Sequence, residues 1–278
     1  MAFAPPGLVW LASYPKSGNT WMRVLLSNLM TGRDEPADIN RLSEEESLIG
    51  RWRFADDMLV DADQLSWQEV EMLRPLHYDY VADRLDKPVF CKTHDRFESQ
   101  SGGPILGNQA RAALYLLRDP RDVAVSLIHH LGRPTDQVVA LMIDTAHLSG
   151  GGIYPPYLLG DWGGHVSGWT GQGVIPTKVV RYEDIRRDTV EVLRGIVCFL
   201  GITATAEEIR RAVAHSDLDE LKQQEAAKGF RERQQGQTQF FRSGRVGEWR
   251  DVLNDAQIRT IEAEFAPVMT RWGYSQAG

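Results

Sequence analysis

Leu8-Val9-Trp10-Leu11-Ala12-Ser13-Tyr14-Pro15-Lys16-Ser17-Gly18-Asn19-Thr20-Trp21 is the stretch that decides the fold. A short apolar run, Leu8 to Ala12, ends in a polar turn. After it Trp21, Val24, Leu25, Leu29 and Met30 recur at helical spacing until Thr31-Gly32 stops the pattern. The reading is strand, tight loop, helix. A helix N-terminus carries unpaired N–H groups and the positive end of the helix dipole, so it favours phosphate or sulfate. Gly18 lets the backbone approach an anion closely. Ser17, Asn19 and Thr20 add short polar donors, and Lys16 adds a mobile charge. The segment is not a Walker A loop, because it lacks the first glycine of that motif and its lysine precedes the remaining glycine. A helix capped by Ser17, with Lys16 in solvent, is the plain structural alternative.

Three further apolar runs, Val89–Lys92, Ala113–Leu117 and Lys178–Tyr182, have the length of buried parallel strands. Helical patterns follow two of them, at Val123–His130 and Thr189–Leu200. Alternating strands and helices predict an α/β fold, a P-loop-like open parallel sheet with helices on both faces. Two stretches break the rhythm. Residues 147–173 hold nine glycines among Tyr154, Tyr157, Trp162 and Trp169, and residues 222–243 are polar and rich in Gln, Arg and Lys. Both read as long structureless segments of the kind that form lids or binding loops. No repeat or linker divides the chain, so residues 1–278 are expected to form one domain.

Composition narrows the function. The 278 residues carry 31 Lys+Arg against 38 Asp+Glu, a net charge of −7. That balance argues against nucleic-acid binding through a broad cationic face, but not against a small, deep anion site. Two cysteines, Cys91 and Cys198, each in an apolar run, give no disulfide framework and no metal motif. The N-terminal stretch has no basic leader region, and no segment reaches the roughly 18 apolar residues of a membrane span. A cytoplasmic location is the expectation.

Tyr14-Pro15-Lys16-Ser17-Gly18-Asn19-Thr20-Trp21 after a first strand resembles the 5′-phosphosulfate loop of sulfotransferases. Those enzymes use 3′-phosphoadenosine 5′-phosphosulfate (PAPS) and release 3′-phosphoadenosine 5′-phosphate (PAP). Tyr115-Leu116-Leu117-Arg118-Asp119-Pro120-Arg121-Asp122-Val123-Ala124-Val125-Ser126 is similar to the family's 3′-phosphate motif, with Arg118 and Ser126 at its contact positions. The physics agrees there: Arg118 leaves the carboxyl edge of a strand, where open α/β sheets bind ligands, and its fork suits phosphate. Phe240-Phe241-Arg242-Ser243-Gly244-Arg245-Val246-Gly247-Glu248-Trp249 resembles the C-terminal 3′-phosphate loop, and the resemblance implies nucleotide contacts from Phe241, Arg242, Ser243 and Gly244. Ser243 stands where many members have Lys, so one positive charge is missing there; either Arg245 replaces it or cofactor affinity is lower. Weaker matches place Tyr182, in Arg181-Tyr182-Glu183-Asp184, and Ser216 and Leu218 on the adenosine side. Trp21 is the flat surface for adenine. The likeness runs from residue 8 to about residue 265.

The second strand ends Lys92-Thr93-His94, similar to the family's Lys-[Ser/Thr]-His, which supplies the catalytic base. A hydroxyl must lose its proton as it attacks, and imidazole suits that task. The other six of the seven histidines lack such a context. The expected reaction is in-line sulfuryl transfer to a hydroxyl of a phenol, alcohol or natural product. His94 takes the proton, Lys16 meets charge on the bridging oxygen, and Lys92 meets the sulfuryl oxygens. No metal is expected. Asp95 is the neighbour placed to orient His94. An acceptor pocket is expected from residues 36–80, with Trp52, Trp67, His77, Tyr78 and Tyr80, and from residues 147–173. A lid is expected from 222–243. Arg250–Asp255 does not reproduce the short dimer segment of many animal members, so the oligomeric state stays open. A P-loop-type nucleotide kinase or NTPase is the alternative, and a non-catalytic nucleotide-binding protein is a further one.

Overall fold

The computed structural model describes residues 2–42, 48–100, 102–152, 154–234 and 236–274. Positions 43–47, 153 and 235, inside the expected acceptor and lid segments, lie outside the described residues. Strands are β1 (Gly7–Ser13), β2 (Pro88–Thr93), β3 (Ala112–Leu117), β4 (Leu148–Gly151), β5 (Tyr154–Leu158) and β6 (Thr177–Arg181). Helices α1 (Asn19–Thr31), α2 (Arg51–Met58), α3 (Trp67–Ala82), α4 (Pro120–Leu131), α5 (Thr135–Ile143) and α6 (Trp162–Gly171) alternate with them through the first two thirds. Then come α7 (Tyr182–Arg187), α8 (Thr189–Phe199), α9 (Ala206–Ala214), α10 (Leu218–Lys228), α11 (Trp249–Val252) and α12 (Asp255–Arg271).

The main sheet is parallel throughout, in the order β2-β1-β3-β6. Period-two alternation sorts the β1 side chains between two cores. Leu8, Trp10 and Ala12 pack with residues of α3, α4, α5, α6 and α12, while Val9 and Leu11 pack with α1, α8 and α9. Helices therefore cover both faces, as the alternation of elements predicts. Because β1 pairs with β2 on one side and β3 on the other, the chain reverses direction across the sheet at β1. Open α/β sheets bind their ligands at the carboxyl ends of the strands flanking such a switch point. The loop Tyr14–Gly18 leaves β1 there.

Three sequence expectations change. Tyr182 does not end a strand: β6 stops at Arg181, and Tyr182 is the first residue of α7. The 147–173 stretch is not structureless. It forms the antiparallel β4–β5 hairpin and α6, whose N-cap Asp161 accepts from the Gly164 N–H. Trp162, Val166 and Trp169 on α6 are fully buried, so a helical period runs through the glycines. Likewise residues 222–228 belong to α10, capped by Asp217.

Trp169 holds this fold to the site. Its ring stacks on Tyr115 of β3 at 5.9 Å, and its Nε1 donates to the Asp95 carbonyl at 2.9 Å. Trp169→Phe removes that donor from a buried carbonyl and should lower stability by about 0.5–1.5 kcal/mol. Urea unfolding reads this as a lower midpoint at unchanged slope, and an unchanged midpoint would remove Trp169 from this role.

Candidate active site

Asn19 fixes the first loop. It is buried, and its Nδ2 donates backward to the Leu11 carbonyl at 2.8 Å and to Ser13 Oγ at 3.1 Å. The start of α1 is thereby tied to the end of β1, and the chain between must turn tightly. Lys16 takes φ 69 and Gly18 takes φ 100. At Gly18 a side chain is excluded twice, by the backbone angle and by the Tyr182 ring, 2.8 Å from where a Cβ would stand. No side chain caps α1, so Ser17 is not the cap that the plain alternative requires. Instead the Ser17 Oγ is buried with no protein partner. An uncapped helix N-terminus with an orphaned hydroxyl beside it is the donor set an oxyanion needs.

Charge converges on this loop from three other segments. Arg118, from the end of β3, donates through Nη1 to the Lys16 carbonyl at 3.1 Å and through Nη2 to the Arg245 carbonyl at 3.2 Å. Its guanidinium lies 4.3 Å from the Tyr182 ring centre, and its Nε is buried without a protein partner. Lys92, near the end of β2, contacts Glu232. Burial, reinforced by the neighbouring charges of Lys92 and Arg118, pulls the Lys16 ammonium down from 10.5 to about 7, against Glu232. That ammonium lies 4.1 Å from the centre of the Phe240 ring.

His94 follows β2. Its Nδ1 donates to the Ser13 carbonyl at 2.8 Å, with Ser13 Oγ at 3.2 Å, so the lone pair is left on Nε2. Burial, with the Lys92 charge, pushes the imidazole well below its ordinary 6.5, so the ring is neutral at pH 7. The expected orienting partner is not there. Asp95 is held by Arg74, with Nη1 at 2.6 Å and Nη2 at 2.7 Å, and by Thr93 Oγ1 at 2.7 Å. Two buried charges 21 positions apart satisfy one another, and the β1 backbone takes over the histidine. From α6, His165 Nε2 donates to the His94 carbonyl at 3.2 Å, and its Nδ1 accepts from the Tyr115 hydroxyl at 2.8 Å.

One cavity of about 750 Å³ joins these groups. Lys16, Gly18, Asn19, Thr20 and Trp21 line it from the first loop and α1. Lys92 of β2 and His94 just past it do so too, with Arg118, Ser126, Tyr182 and Leu218 from the elements beyond. Phe241, Arg242, Ser243 and Gly244 close one side. Ser17 and Ser216 are buried behind the wall. The Ser216 hydroxyl donates to the Ala212 carbonyl at 2.7 Å and accepts from Asn28 at 3.0 Å, while its own carbonyl takes the Trp21 Nε1 proton at 2.8 Å. Ser216 thus sets the Trp21 ring and does not face the cavity. Arg242 forms a two-toothed pair with Glu248 at 2.6 and 2.7 Å, and Ser243 Oγ donates to the same carboxylate at 2.8 Å. Arg245 turns outward to pair with Asp251, so it does not replace a lysine at position 243.

On the acceptor side the aromatic residues sort differently from expectation. Tyr154 and Tyr157 of the hairpin line the cavity with His147, Leu159, Ile49 and Arg74. Trp52 and Tyr80 stand in solvent, His77 and Tyr78 are core, and none of the four lines the cavity; Trp67 does not either. His129 and His130 of α4 do line it, although they belong to no recognisable motif. Burial and the Lys16 charge push His130 down to about 4.

Comparison with known proteins agrees with this geometry. The model of the sulfotransferase domain family matches residues 6–273. Luciferin sulfotransferase of Photinus pyralis is 26% identical over 224 residues, covering 78% of this chain and 57% of that protein. Cytosolic sulfotransferase 14 of Arabidopsis thaliana is 26% identical, covering 93% of this chain and 74% of that protein. In structure, the chain superposes on the mouse sulfotransferase SULT7A1 complexed with PAP with a TM-score of 0.62 at 20% identity, over 95% of this chain and 84% of the other. With cation-bearing loops gathered at the switch point and the family model spanning nearly its whole length, the chain belongs to the sulfotransferase family. It is an enzyme of the PAPS-dependent class. Among the described residues no helix is long and apolar enough to cross a membrane.

The Lys16 environment has a measurable consequence. With a free-state value of about 7, Lys16 is largely neutral above pH 7, and a bound anion recharges it. PAP binding should then take up close to one proton per site near pH 8, and affinity should fall by up to about tenfold per pH unit above 7. Calorimetry in two buffers of different ionisation enthalpy measures the uptake. It should vanish in Lys16→Met, and no uptake in the wild type would mean that Lys16 stays charged.

Proposed function

We propose that the protein moves the sulfuryl group of PAPS to a hydroxyl of a small-molecule acceptor, with His94 as general base. The observation that carries this reading is the meeting of a neutral His94 with Lys16, Lys92 and Arg118 around one cavity. The residues fit the donor. The uncapped start of α1, where Lys16, Gly18 and Thr20 line the cavity, suits its 5′ end, and the unfilled Nε of Arg118 suits its 3′-phosphate. When bound, PAPS supplies an activated sulfuryl group on a good leaving group.

The chain's own part is electrostatic and positional. Lys16 and the loop N–H groups hold the end of the nucleotide where charge develops, and Lys92 faces the transferring oxygens. Arg118 and Ser126 hold the 3′-phosphate. Trp21, Tyr182 and Leu218 form the adenosine wall, with Trp21 and Tyr182 edge to face at 5.9 Å. His94 Nε2 accepts the acceptor's proton, and the Ser13 carbonyl steadies the imidazolium through Nδ1. Arg242 reaches the 3′-phosphate by exchanging its Glu248 partner for it. Relatives include a luciferin sulfotransferase and a flavonol 3-sulfotransferase, and a retinol dehydratase shares the fold. Together with Tyr154, Tyr157, Leu127 and Leu131 on the cavity wall, they support a phenol or alcohol with an apolar body.

His94→Ala should lower turnover by about 10²–10⁴-fold, the usual worth of a general base, with PAP affinity retained. Arg118→Ala should do the reverse to binding, weakening PAP by a clearly larger factor than 5′-AMP, whose loss reflects only the loosened first loop. Transfer of labelled sulfate to a phenol panel, with calorimetry for the nucleotides, reads both. Wild-type turnover in the first variant moves the base elsewhere, and equal loss for the two nucleotides takes Arg118 off the 3′-phosphate.

A further inference from the structure

Glu232 belongs to no motif, yet its carboxylate reaches the transfer site. Oε1 lies 2.6 Å from Nη1 of Arg23, whose side chain is 2% exposed, and Oε2 lies 3.4 Å from Nζ of Lys92. The turn that carries it is built for the purpose. Asn40 Nδ2 donates to the Gly229 carbonyl at 3.0 Å and its Oδ1 accepts from the Arg231 N–H at 2.8 Å, clamping the backbone just before Glu232. Phe230 is buried against Phe240 and Phe241 at 4.7 and 5.1 Å. The far end of the loop is tied down as well, since Glu225 accepts from the Phe240 and Phe241 N–H groups at 2.7 and 2.9 Å. Both ends of the segment are therefore anchored, and the carboxylate is delivered between two cations.

We propose that Glu232 is the positioning residue for Lys92: one oxygen anchored on buried Arg23, the other holding the lysine ammonium where the transferring group is received. The two contacts are unequal, and that decides which survives donor binding. The Arg23 side chain is 2% exposed and its contact is the shorter at 2.6 Å, so breaking it would take a close ion pair apart in a buried place. Lys92 is 24% exposed and its contact is longer, so its ammonium is free to share its protons with a donor oxygen. Although burial opposes it, the Lys92 and Arg23 charges hold the Glu232 carboxyl at about 2, so it is ionised throughout the working range. Glu232 thus contributes to the chemistry through Lys92 as well as lining the cavity.

This inference rests on the sulfuryl-transfer reading, and Glu232→Gln tests it with separable readouts. It should lower kcat by about ten- to a hundredfold while acceptor KM and PAP Kd stay within about twofold. In the ligand-free variant, Lys92 should be acylated by an amine-reactive reagent several-fold faster than in the wild type, read by peptide mass spectrometry. Unchanged kcat overturns the proposal, and a raised kcat overturns it by making Glu232 an obstructing anion. PAP binding that weakens in step with kcat also overturns it, because that is the signature of a collapsed segment. Wild-type labelling of Lys92 in the variant overturns the contact itself. If the wild-type protein binds no PAP, the sulfuryl-transfer reading fails instead, and the labelling comparison still decides the Glu232–Lys92 contact.

Discussion

The site hangs on a single guanidinium. Arg118 leaves β3, donates to the backbone of the first loop at Lys16 and of the C-terminal loop at Arg245, and lies against Tyr182 at the start of α7. Four segments far apart in sequence are brought to one place by one planar cation. A lysine would supply the charge but not the fork geometry or the flat face. The C-terminal loop is held there by a second device. Asp122, one turn into α4, accepts from the Gly247 and Trp249 N–H groups at 2.7 and 3.1 Å.

Around that centre the protein accumulates positive charge it has not fully neutralised. Lys16, Lys92 and Arg118 meet at the loop, and Glu232 contacts Lys92 and the neighbouring Arg23. The strain of that arrangement shows in Lys16, whose ammonium is pulled down to about 7. On the proposed reading an anionic nucleotide relieves it, and Lys16 gains charge as the donor arrives. Neutral His94, kept so by burial and by Lys92, is ready to take a proton from the start. Binding and base strength are thus set by one local field of cations in a chain whose net charge is negative.

Much of this was legible in the sequence because the controlling features are local. The four main strands are apolar runs, the first loop is fixed by small and polar residues, and Arg118 and His94 sit one residue past strands. What escaped is non-local. Asp95 stands beside His94 in sequence, yet Arg74 on α3 captures it. Glu232 acquires its place only once α1 and β2 put Arg23 and Lys92 side by side. In the 147–173 stretch the many glycines mask a real helical period, Trp162, Val166 and Trp169, behind an Asp161 cap. The aromatic residues of 36–80 read as a pocket but serve core and solvent faces, since α3 turns its apolar side to Trp10, where Tyr78 packs at 5.0 Å. Residue type alone carries no information about which side of a helix meets a cavity.

The central claim is that this cation-lined cavity recognises a nucleotide by its 3′-phosphate and needs no triphosphate. Titration of the wild-type protein with PAP, and separately with ATP–Mg²⁺, measures that directly. Tight binding of PAP with little or no binding of ATP–Mg²⁺ is the predicted result, while preference for ATP–Mg²⁺ would contradict the account and favour a phosphoryl-transfer enzyme.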